Sequence, residues 1–124
     1  ATGSFWCGAV SMAAALATLA ELRRADGPAR MCAMGERFRA GMAALASRHG
    51  IGIRQSGPAQ MPLVLFEDDP DWRKGAAFCA GALRAGAFFH PRHNMFLSTA
   101  HAEADIDLAL QAADAGFEAV ARMG

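Results

Sequence analysis

A chain of 124 residues with 12 basic and 12 acidic side chains carries no formal net charge. No run of Lys or Arg supplies a local footprint either, so nucleic acid is excluded as a partner. Hydrophobic residues make up 53% and charged residues 19%, a balance that excludes disorder and suits one domain burying roughly two-thirds of the surface its unfolded chain exposes.

The first twenty residues are uncharged, but they lack a basic leading segment and are mostly small, so neither a signal peptide nor a membrane span is expected. Ala9, Met12, Ala13, Leu16, Leu19 and Ala20 instead recur at helical spacing. Asp26-Gly27-Pro28 is expected to break that helix. A second helix is predicted from about Ala29 to Ser47, with Met31, Met34, Phe38, Gly41, Met42 and Leu45 on its apolar side. His49-Gly50 closes it, with Gly50 suited to a left-handed cap.

Alternation from Ile51 to Gln55 predicts a strand, and Ser56-Gly57-Pro58 a turn. Met61 to Phe66 reads as a second strand with Pro62 near its start. The acidic turn Glu67 to Asp71 leads into a helix from about Trp72 to Arg84, ended by Gly86. Two short strands are predicted at Ala87–Phe89 and Asn94–Ser98, joined by His90-Pro91-Arg92-His93. The last helix runs from about Glu103 to Met123, its stripe formed by Ile106, Ala109, Leu110, Ala113, Phe117 and Val120. The order α-α-β-β-α-β-β-α describes an α+β domain: two long helices, then a short, largely antiparallel sheet covered by helices.

The chemistry-bearing residues are few. Cys7, Cys32 and Cys79 are widely spaced without C-x-x-C, and read as buried thiols in a reducing compartment, the cytoplasm. Cys79 lies among Phe78, Ala80 and Leu83, where a thiol is inert. His90 and His93 flank Arg92, with His101 eight residues on, but Pro91 prevents a helical ligand pair and no metal site is expected. No nucleophile elbow and no phosphate-binding glycine loop is present. The residues alone describe a domain with one polar loop, 90–93. That leaves open a stand-alone, non-catalytic module that dimerises or binds a small ligand through this loop.

A more specific reading comes from resemblance. The run from His90 to His101, followed by Glu103-Ala104-Asp105-Ile106-Asp107, resembles the C-terminal stretch of class III aminotransferases, the branch that includes glutamate-1-semialdehyde 2,1-aminomutase. Ser4-Phe5-Trp6 with the alanine-rich run to Leu19 is similar to the family's segment opening on Thr-Phe, and Gly35, Arg37 to Gly41 and His49-Gly50 match its next helix and exit. The resemblance covers essentially the whole chain.

It implies the small C-terminal domain of a fold type I enzyme that uses pyridoxal 5'-phosphate to move an amino group. The chain would divide into residues 1–27, a helix linking to a large domain, and residues 28–124, the small domain. The large domain would carry the Schiff-base lysine; the one lysine here, Lys74, stands at a charged helix start, so this chain alone is expected to lack catalytic residues and be inactive. Ser4 stands where the family's Thr reaches the cofactor phosphate of the opposite subunit. Arg92, His93 and His90 match the segment approaching the substrate, and His93 stands where the aminomutase has an acidic residue. The implied partners are the large domain, a second copy in a homodimer through the first helix, and a small amino or keto substrate, with no membrane.

Overall fold

The structure, a computed structural model, describes Gly3 and residues 8–124. Helix α1 spans Ala9–Arg24 and α2 spans Gly27–Arg48. Only Ala25 and Asp26 separate them, and Asp26 adopts a left-handed φ of 49° that turns the chain. The second helix therefore starts two residues before the expected Ala29, since Pro28 is well tolerated in a first turn where its missing N–H has no partner to lose. No residue of α1 is buried. Met12, Leu16 and Leu19 are 56%, 69% and 53% exposed, so the apolar stripe legible in the sequence faces outward.

Helix α2 ends as its sequence predicts. Gly50 takes a φ of 66°, its N–H donates to the Ser47 carbonyl, and the Ile51 N–H reaches the Ala46 carbonyl at 2.9 Å. This paired pattern satisfies the last carbonyls of the helix. Gly86, φ 101°, repeats it at the end of α3 (Arg73–Arg84), with bonds from Gly86 to Leu83 and from Ala87 to Ala82.

Strands β1 (Ile53–Ser56) and β2 (Leu63–Phe66) pair antiparallel, Ile53 opposite Phe66 and Ser56 opposite Leu63. Among the described residues the sheet has these two strands, and the further strands expected at 87–89 and 94–98 do not form. The second segment does run beside the chain leading into β2: Met95 and Leu97 donate N–H bonds of 2.9 Å to the Pro62 and Gln60 carbonyls. An antiparallel ladder would return a bond from residue 62, but proline has no N–H to give. At the first segment, Ala87 is held by the end of α3 while Phe89 turns into the core against Phe38 and Phe78. The fold remains α+β.

Helix α4 spans Glu103–Ala121. Ala102 has no capping side chain, but Asp105 accepts the Ala102 N–H at 2.8 Å and so makes half of a capping box. The helices α3 and α4 cross on glycine. A Cβ on Gly81 would lie 2.8 Å from the Ala115 carbonyl oxygen, and one on Gly116 would lie 2.8 Å from that of Phe78. Such close backbones bring Phe78 and Phe117 together, ring centres 4.9 Å apart, with Phe66 at 5.4 and 5.9 Å from them. This aromatic cluster, with Met42, Ala82, Ala113 and Val120, is the core.

Candidate functional site

The loop 90–93 is seated on the start of α3. Trp72, immediately before that helix, has a left-handed φ of 62° and offers no side-chain cap. Asp69 does the capping instead. Its two carboxylate oxygens accept the N–H groups of Lys74 and Gly75, each at 2.8 Å. A carboxylate there also meets the positive end of the helix dipole. Asp69→Ala is expected to cost about 1–2 kcal/mol, and Asp69→Asn a smaller part of that, as measured by urea denaturation. A change of only a few tenths for the alanine variant would show that water replaces the cap.

Gly75, buried, lets the loop approach: a Cβ there would lie 3.1 Å from the Pro91 Cβ. The space between them, lined by Phe78, Cys79, Phe89 and Met95 among others, amounts to about 10 Å³, at the lower limit for one water. The loop therefore leaves no room for a ligand on its inner side, and its polar groups lie on the outer one. Burial pushes the Cys79 thiol up to about 11, which keeps it protonated and inert as its sequence context suggests.

The residues expected to meet substrate do come together on that outer side. His90, Arg92 and His93 are all exposed. The Arg92 N–H donates to His90 Nδ1 at 3.1 Å, which places the proton of that ring on Nε2. His93 Nδ1 donates to the Asn94 carbonyl at 2.9 Å. The two imidazoles meet edge to face, centres 5.9 Å apart, and His93 also lies 6.2 Å from Phe96. The Arg92 guanidinium carbon stands 5.8 Å from the centre of the Trp72 ring. Among the described residues it has no carboxylate partner. Ser4, the expected phosphate contact, lies outside the described residues, as does Cys7.

Two features escape sequence reasoning. Trp72 reads only as the start of a helix, although an exposed indole beside a charged turn is a signal worth following. Lys74, expected in a solvated position, is half-buried, and its Nζ donates to the Glu67 carbonyl at 2.8 Å. It borders a cleft of about 580 Å³ whose lining includes Glu67, Asp68, Asp69 and Asp71. These four carboxylates outnumber Arg73 and Lys74 in the lining and the lysine amine is already engaged, so this cleft does not fit the phosphate of a phosphorylated aldehyde cofactor. Among the described residues no three His, Cys, Asp or Glu side chains converge to hold a metal. His101 serves its own turn, accepting the Ser98 N–H at Nδ1, 2.9 Å away. Among the described residues no helix is long and apolar enough to cross a membrane.

Comparison with known proteins agrees with the resemblance. The chain is 49% identical over 121 residues, 98% of its length, to an aminopentol aminotransferase of Sphingopyxis macrogoltabida. It is 32% identical to glutamate-1-semialdehyde 2,1-aminomutases of Shouchella clausii and Deinococcus radiodurans, over 90% of its length in each case. It spans about 29% of the length of these curated relatives. A solved structure of the FumI protein of Sphingopyxis sp. MTA144, in its PLP internal aldimine form, matches 98% of the chain with a TM-score of 0.92 and 48% identity, and the match covers 30% of that longer chain. No family model matches. The chain thus matches, and is similar to, the C-terminal part of class III pyridoxal-phosphate aminotransferases.

Proposed function

We propose that these 124 residues serve as the small domain of an enzyme that transfers an amino group between an amino acid or amine and a carbonyl compound, and that Arg92 holds the carboxylate of a substrate. Pyridoxal phosphate, when bound, supplies the electron sink for such chemistry, and the residues that seat it belong to the rest of the longer polypeptide, apart from a contact from Ser4. Residues 28–124 form the small domain in this reading, and residues 1–27 lead out of the large one. The uncovered stripe of α1, with Met12, Leu16 and Leu19 exposed, is the surface that meets the large domain or a second copy in a homodimer.

The observation that carries the proposal is Arg92 itself. Its guanidinium is permanently charged, exposed and without a carboxylate partner among the described residues, on a loop that Pro91 stiffens. A planar fork of donors fits a carboxylate in two parallel hydrogen bonds, which a lysine ammonium cannot do. His90 and His93 stand on either side: His90 adds a donor from Nε2, whereas His93, its Nδ1–H already given to Asn94, adds a second one only when its ring is protonated. The relatives' names include an aminopentol, an amine, and glutamate semialdehyde, a carboxylate, so carboxylate and plain amine substrates are the natural comparison.

Arg92→Lys in the full-length enzyme is therefore expected to lower kcat/KM for carboxylate substrates by about ten- to a hundredfold, the equivalent of about 1.5–3 kcal/mol for a charged hydrogen bond. Simple amines should lose far less. Equal losses for both classes would assign Arg92 to the fold or to an interface. The isolated 124 residues, by contrast, should form no covalent adduct with the cofactor. Borohydride reduction with pyridoxal phosphate, read by intact mass, is expected to show no saturable, stoichiometric labelling of Lys74.

A further inference from the structure

We propose that Trp72 is a positioning residue for Arg92, its indole face acting as the shelf that aims the guanidinium at the substrate; this deepens, and rests on, the reading of Arg92 as a carboxylate clamp. Arg92 has a long side chain and no ion pair among the described residues, so left free it would spread over many rotamers. A clamp so dispersed would have to be ordered anew at each binding event, at the expense of affinity. The Trp72 ring lies within the range at which a cation is attracted to an aromatic face, 5.8 Å from centre to guanidinium carbon. A cation held over a ring face is attracted through its charge, which leaves its N–H donors free for a carboxylate.

Both partners are held from behind. Trp72 sits in a left-handed conformation fixed by the turn at Asp69, whose carbonyl accepts the Trp72 N–H and whose carboxylate ties down the next residues of α3. The main chain at Arg92 is fixed by the bond to His90 Nδ1 and by Pro91 resting against Gly75. The start of α3 and the loop 90–93 thus form one unit, built from segments well separated in the chain. Trp72 is 36% exposed and stands outside the core cluster, so its ring is not accounted for by core packing.

The test uses the full-length enzyme and two readouts. Trp72→Leu keeps a side chain with the same left-handed strain but no π face, and Trp72→Phe keeps a smaller face. Trp72→Leu is expected to raise KM for carboxylate substrates about two- to fivefold with kcat unchanged, the range that an exposed cation–π contact supplies. Trp72→Phe should restore most of the affinity, and simple amines should be unaffected. In an Arg92→Gln background Trp72→Leu should add nothing, because the group being positioned has gone.

The second readout needs no substrate. Modification of Arg92 by phenylglyoxal, followed by peptide mass spectrometry, should run about two- to fivefold faster in Trp72→Leu and at the original rate in Trp72→Phe. An unchanged modification rate would overturn the shelf itself, as would a Trp72→Leu effect that persists in the Arg92→Gln background. A faster modification with no change in any KM would leave the pairing standing and overturn the carboxylate reading on which the proposal rests.

Discussion

Phe117→Ala is expected to lower the free energy of unfolding by about 3–5 kcal/mol, a large part of the stability of a domain this size. Phe117 is fully buried and is the ring on which the others converge, 4.9 Å from Phe78 and 5.9 Å from Phe66. His49 stacks on its far side at 6.1 Å. That imidazole reaches Asp114 at 2.7 Å and so joins the end of α2 to α4. The same histidine and the neighbouring Arg48 hold the Asp114 carboxyl below the usual carboxylate range. Truncation at residue 117 would open a cavity beside the α3–α4 crossing, where backbones already touch and cannot close in further. Urea denaturation should show a lower midpoint at an unchanged slope. Phe88→Ala, at a ring 76% exposed, is the control and should fall within about 0.5 kcal/mol of the parent. A loss below about 1 kcal/mol for Phe117→Ala would mean that the rings do not form a closed core.

Gly35→Ala should destabilise the chain by about 3 kcal/mol although the residue is in the middle of α2, where alanine normally gains about 1 kcal/mol over glycine. The added methyl has nowhere to go. It would overlap the Ala59 carbonyl oxygen outright and lie 2.5 Å from the carbonyl carbon. Ala59 is itself buried, in a turn closed by the bond from Met61 to Pro58, so the obstacle is backbone that cannot swing away. Gly41, also in α2, gives the contrast. A Cβ there would meet the methyls of Leu110, the end of a side chain that can change rotamer, and Gly41→Ala should cost less than about 1 kcal/mol. Thermal or urea denaturation of the two variants side by side decides the matter; equal effects would refute the argument from the obstacle's stiffness.

Much of this architecture is legible in the order of residues. Three helices follow from apolar spacing, α3 from the acidic turn before it, and the ends of α2 and α3 from Gly50 and Gly86, because those signals are local. What fails to show is whatever depends on a partner far along the chain. The short segment 94–98 reads as a strand, but nothing in it says that its neighbour is a proline. The cap of α3 comes from Asp69 and not from Trp72, the residue beside the first turn, because the turn folds back before the helix begins. At the site, His90, Arg92 and His93 are legible because they adjoin one another, whereas Trp72 lies far upstream and only the folded chain sets it under Arg92.

The half-made ladder at Pro62 has a consequence for how this protein behaves in a crowded solution. A sheet edge with unpaired N–H and C=O groups is a template on which another molecule can add a strand and begin an aggregate. Here each strand is four residues long, and the segment leading into β2 already accepts bonds at Gln60 and Pro62. An incoming strand would have to displace residues 95–97 and then find no donor at residue 62. The proline that denies the domain a third strand also denies that position to strangers.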